Sequence, residues 1–145
     1  MTSPIVVAAR QYLGVKFRHR GRSRVGLDCA GLTVLAYRDC GVEIQDFRLY
    51  GPEPHRDGLT THAQAAYGKP VLSAPVRESD LHDGDIVIMR FRVQPHHIGI
   101  IAEASYAGQP ALNMIHADGE AGRVVEHRLT PDMVTRITQV HRRPV

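Results

Sequence analysis

HIGIIAEASYAGQPALNMIHA, His97 to Ala117, carries two apolar runs, His97–Ala102 and Ala111–Ala117, around a segment marked by Gly108 and Pro110. Alternating or β-branched runs divided by Gly and Pro predict two antiparallel strands joined by a hairpin. With strands at 97–102 and 111–116 the loop has eight residues, and a symmetric hairpin sets Ala102 opposite Ala111 and His97 opposite His116. Cross-strand neighbours lie about 5 Å apart at Cβ, so the two imidazoles would meet on one face. Gly99 shares that face and leaves space beside the ring.

Similar runs flank this pair: DIVIMRF (Asp85 to Phe91), RVVEHRL (Arg123 to Leu129) and ITQVHR (Ile137 to Arg142). Upstream the pattern is helical. Ser3 and Pro4 open a helix over Ile5–Leu13 that Gly14 closes, and Asp28 is the N-cap of CAGLTVLAYRDC, closed by Gly41. From Val42 to about His62 the chain is irregular, with Gly51, Pro52, Pro54 and Gly58, and a short helix is expected over Thr60–Tyr67. Helices followed by a run of strands predict an α+β fold with an antiparallel sheet of about five strands. At 145 residues the chain is expected to form one domain, 1–145.

Composition excludes several classes. The 43% hydrophobic and 23% charged residues are those of an ordinary globular protein, and a net charge of +3 gives no reason to invoke nucleic acid. Two cysteines, without a CxxC pair, are too few for a zinc finger. On one helix Cys29 and Cys40 would lie about 16 Å apart, too far for a disulfide. No apolar run is long enough to span a membrane, and the first residues lack the features of an export signal.

Position separates the two thiols. Cys29, in the first turn after Asp28, faces free backbone N–H groups and the positive helix end, which favour a thiolate. The competing reading is a small core residue; for Cys40, near the helix C-terminus, that reading prevails. A cysteine nucleophile needs a base and a group that holds the base. His97 and His116 meet that need jointly, although each alone reads equally well as a strand histidine bonded to backbone. Asp118 is a second candidate to hold the imidazole.

These residues carry a family resemblance. GLDCAGLTVLAY, with Asp28, Cys29, Ala30 and Gly31, resembles the nucleophile motif of the NlpC-type cell-wall cysteine peptidases, a papain-like clan. DLHDGDIVIMRF (Asp80 to Phe91) is similar to that family's Gly-Asp strand, HIGII (His97 to Ile101) to its base motif, and MIHA (Met114 to Ala117) to the strand bearing the third catalytic residue. The resemblance implies Cys29 as nucleophile, His97 as base, His116 as orienter and the Cys29 N–H in an oxyanion hole, with no metal or cofactor. It implies hydrolysis of a peptidoglycan stem peptide, with γ-D-glutamyl-diaminopimelate as the expected bond. The alternatives are an amidase or acyltransferase on the same fold, and a tail-assembly protein with a vestigial site.

Two positions depart from the family pattern. Phe17 stands where a Tyr is usual, and Ala30 where a Ser follows the nucleophile, which weakens the expectation of a substrate with a free N-terminal L-Ala. The pattern Phe17, His19, Gly21, Arg22 before GLDC is similar to members carried with phage tails or gene-transfer particles. Synthesis in the cytoplasm and delivery to the cell envelope by such a particle is the corresponding expectation. The Arg-rich loop of Arg18, Arg20, Arg22 and Arg24 reads either as solvated or as a receptor for substrate carboxylates. Phe17, Arg22, Asp28 and Ala30 are thus the candidate substrate-binding residues.

Overall fold

A computed structural model describes residues 2–46, 59–91 and 96–145. Most of the irregular segment expected after Gly41 lies outside the described residues. Pro4 sits in the first turn of helix α1 (Pro4–Arg10), which ends three residues before the expected Leu13; turns carry the chain to Gly14. The Ser3 side chain makes no cap; its backbone N–H instead donates to Asp83 at 2.6 Å. A small hairpin that the sequence did not reveal follows, β1 (Arg22–Ser23) and β2 (Gly26–Leu27), and delivers the chain to α2 (Cys29–Asp39). Asp28 caps α2 as expected, its carboxylate accepting from the Gly31 N–H at 2.8 Å. Next come α3 (Leu59–Tyr67), β3 (Leu72–Ser73) and β4 (Ile86–Met89). The long hairpin β5 (His97–Tyr106) and β6 (Gln109–Asp118), then β7 (Arg123–Arg128), α4 (Pro131–Thr135) and β8 (Ile137–His141) complete the order.

The main sheet is antiparallel, with order β3-β8-β4-β5-β6-β7. It has six strands; the two-residue β3 was too short to leave a pattern. The last strand returns beside β4, where Arg142 holds the fully buried Asp85 through two contacts of 2.7 and 2.9 Å.

Both faces of the sheet are covered, which is why β4 and the first six residues of β5 are buried at every position instead of alternating. Ile98, Ile100, Ile115 and Ala117 pack on the helix side with Ile5, Leu35 and Ala66. Val87, Ile101 and Met114 face the other way, onto Leu81, Leu129 and Val134. No described helix is long and apolar enough to cross a membrane.

The β5–β6 register corrects the expected hairpin. The connection is two residues, Ala107 and Gly108, both at positive φ (51° and 78°), as a tight hairpin turn requires. Ala102 therefore pairs with Asn113, not Ala111. The slip is two residues, so every side chain keeps its face, and His97 and His116 lie diagonally rather than directly opposite. Gly99 also serves another neighbour than expected: a Cβ there would fall 2.5 Å from the Met114 sulfur, so the space belongs to Met114.

Gly31 is needed for close approach, because a Cβ there would lie 2.3 Å from the carbonyl oxygen of Gly21. The Gly31→Ala variant is expected to lose about 1–3 kcal/mol in urea unfolding. An unchanged midpoint would show that the backbone at Gly21 yields freely.

Candidate active site

The nucleophile candidate is placed by its neighbour. The Asp28 carboxylate, 2% exposed, accepts from the Gly31 N–H and from the Arg20 N–H, each at 2.8 Å, and from the Arg22 guanidinium at 2.8 Å. Arg22 also grips Asp46 at 3.0 Å, and its side chain is 7% exposed. Its fork is thus engaged by carboxylates of the chain itself, and its Nη2 is buried without a partner among the described residues. The arginine proposed from the sequence as a substrate receptor instead stands behind the helix cap. Ala30 is 1% exposed and packs in the helix-side core, and Phe17 is half-buried against that core. Of the four candidate substrate-binding residues, the structure places Arg22 and Asp28 together as a support and leaves Ala30 inside.

Cys29 is half-buried and packs against the same core. Burial pushes its thiol up, to about 12, with the Asp28 charge adding to the rise; the backbone N–H groups of Ile98 and Ala30 and the Arg22 charge oppose it. The helix-start position was expected to favour a thiolate, but desolvation outweighs it in this resting arrangement. Cys40 is also a free thiol, likewise raised by burial.

The Ile98 peptide that touches the Cys29 thiol adjoins His97, which is 1% exposed. His97 shares its strand face with Gly99 and Ile101, the face away from α2, and the Cys29 thiol reaches the start of β5 through the Ile98 backbone. The His97 Nε2 lies 2.6 Å from His116 Nδ1, with the rings edge to face at 4.8 Å between centroids. Its Nδ1 is buried and has no hydrogen-bond partner among the described residues. The edge of Phe91, 5.4 Å away, braces the ring.

The row of imidazoles continues where the sequence reading stopped. His116 Nε2 is 2.7 Å from His127 Nε2, and His127 Nδ1 is 3.0 Å from the backbone carbonyl oxygen of Arg128. His127 pairs across β6–β7 with Met114, on the face that His116 occupies. Its alternation with Val125 in RVVEHRL was the available signal, but only the register shows that it meets His116. Asp118, expected as a second orienter, bonds neither ring: its Oδ1 accepts from the Glu120 N–H at 3.0 Å. The ring nitrogens face one another in pairs and do not converge on a point, and no cluster suited to a metal occurs among the described residues.

A cleft of about 540 Å³ opens over these rings, lined by Phe91, His97, His116, His127, Met133 and the charged Asp118, Glu120, Asp132 and Arg136.

Residues 14–143 match the NlpC/P60 family, and the chain belongs to it. Among solved structures it is similar to an NlpC/P60 family protein from Bacillus cereus, with 21% identity, TM-score 0.58 and coverage of 96% of this chain and 39% of that one. It is also similar to the NlpC/p60 domain of the peptidoglycan hydrolase SagA, with 18% identity, TM-score 0.56 and 96% coverage of each. An N-acetylmuramoyl-L-alanine amidase from Bacteroides uniformis shares the fold at 13% identity and TM-score 0.51, with 95% coverage of each. The chain thus spans about two fifths of the Bacillus cereus protein and nearly all of the other two. No curated protein matches it.

Burial holds His97 down, to about 3, with His116 and His127 adding to the effect; burial, then His127, holds His116 down to about 4, against a small opposing pull from Asp118. His141 is also lowered by burial. The His97 and His116 rings stay neutral in the folded chain while those of the unfolded chain take up protons near the ordinary value of about 6.5. Stability is therefore complete above that value and falls as pH drops below it, by up to about 1.4 kcal/mol per pH unit for each histidine. Urea midpoints measured from pH 7.5 to 4.5 are expected to fall with this slope, less steeply in His116→Gln; a flat profile would contradict the burial of these rings.

Proposed function

We propose that the chain is a cysteine peptidase acting on peptidoglycan stem peptides, with Cys29 as nucleophile, His97 as general base and His116 holding His97. One observation carries this reading: His97 has its Nε2 bonded to His116 and its buried Nδ1 unpartnered, and the next residue, Ile98, bonds the Cys29 thiol through its backbone. Thiol–imidazole bonds are often long before substrate binds and tighten in the complex.

With thiol and imidazole both neutral at rest, attack and proton transfer belong together. The Cys29 sulfur adds to the amide carbonyl carbon as its proton passes to His97 Nδ1. The oxyanion sits at the start of α2, where the Cys29 N–H supplies a donor. Collapse breaks the C–N bond, and His97 returns the proton to the leaving amine. Water then attacks the thioester carbon, giving a proton to Nδ1; the C–S bond breaks, the carboxylic acid leaves, and the sulfur takes the proton back from His97.

The bond favoured is γ-D-glutamyl-diaminopimelate. The carboxylates of Asp118 and Glu120 at the cleft suit the free amino group of a diamino acid. The Phe17, His19, Gly21, Arg22 pattern supports carriage to the envelope by a phage-tail-like particle. A second reading, amide cleavage between glycan and stem peptide, draws on the likeness to the Bacteroides uniformis amidase.

Digestion of purified peptidoglycan followed by mass analysis separates the two. Fragments cut after D-glutamate are expected from the wild type, and Cys29→Ala and His97→Ala are expected to lose at least about 10³-fold in kcat. Release of intact stem peptides would establish the amidase reading instead, and equal activity in Cys29→Ala would remove the thiol mechanism.

A further inference from the structure

The three-histidine row has a direction, fixed at its far end. A carbonyl oxygen can only accept, so the His127 Nδ1 facing Arg128 carries the proton. A neutral His127 then presents a bare Nε2, and the 2.7 Å contact requires His116 to donate from its own Nε2. A neutral His116 has its remaining lone pair on Nδ1, so the 2.6 Å contact requires His97 to donate from Nε2. His97 is left with its lone pair on Nδ1, the atom without a partner. One backbone carbonyl thus sets three tautomers in series.

We propose that His127 is a positioning residue that acts through His116 to hold His97 in the tautomer with an unprotonated Nδ1. The inference rests on the reading of His97 as general base. Without an acceptor at His127, His116 Nε2 has no partner that requires its proton, and the ring is free to carry the proton on Nδ1. His97 Nε2 would then have to accept, and its own proton would move to Nδ1, where it blocks uptake of the thiol proton. A donor-only side chain at 127 would force that reversed order.

Side-chain nitrogen NMR of the whole chain at pH 8, where exposed imidazoles are neutral, reads each tautomer directly. The wild type is expected to show His97 protonated at Nε2 and bare at Nδ1; protonation at Nδ1 overturns the proposal. His127→Leu is expected to give mixed His97 tautomers and a kcat lower by about 10- to 100-fold at unchanged KM, the usual scale for loss of a group that orients a catalytic imidazole. His127→Gln, whose side-chain oxygen can accept from His116, is expected to restore the tautomer and to return kcat to within about threefold of wild type. A His127→Leu protein with the wild-type tautomer and full kcat overturns the proposal. If His127→Leu does not fold, the wild-type and His127→Gln spectra decide it. Spectra as expected from a wild type that leaves peptidoglycan intact would sink the peptidase reading while the tautomer order stands.

Discussion

The Asp28 carboxylate holds the site in place. A buried charge left alone would cost several kcal/mol, yet Asp28 is buried and fully used: it closes the first turn of α2, fastens the Arg20 backbone and anchors Arg22. Through Arg22 it also reaches Asp46, beyond the far end of α2. Cys29 inherits its position from this knot, since it is the next residue in the chain. The arrangement has an electrostatic drawback, because the same carboxylate raises the thiol it positions. Burial acts in the same sense at both groups, raising the Cys29 thiol and lowering His97, so each is driven toward its neutral form.

The sheet supplies the other half by a different device. Strand alternation puts His97, His116 and His127 on one face, and the diagonal offsets between strands let each ring reach the next edge to face. Phe91 meets the His97 ring edge to face and braces that end of the row. Low polarity around hydrogen-bonded rings strengthens each bond and penalises any break in the series.

Residue pattern disclosed the parts of this design that depend on local chemistry. The Asp28 cap, the start of α2 at Cys29 and the strands at His97, Ala111, Arg123 and Ile137 follow from capping and periodicity, which short stretches express by themselves. What stayed hidden depends on distant contacts. The Ala107–Gly108 turn lacks the Asn or Asp that would mark it, and Pro110 reads as a loop residue although it lies in β6 opposite Ser105. Arg22 resembles a free receptor until Asp46 is seen to return to it. The rise of the thiol above its helix-start expectation comes from burial, which no pattern around Cys29 announces. His127 was invisible as a partner because the β6–β7 register had no marker.

The same turn bears on how the hairpin can change. Beyond Ala102 both strands of β5–β6 run toward solvent, and the tip from Glu103 to Leu112 is largely exposed. Its ten residues can lengthen or shorten by one residue on each strand, since a paired change preserves which way each side chain points. A change of one residue on one strand alone would turn His116 toward the helices, or demand a bulge to absorb it. Length variation at this tip is therefore quantised in pairs, and the tip can be remodelled for new contacts without disturbing the imidazole row at the other end.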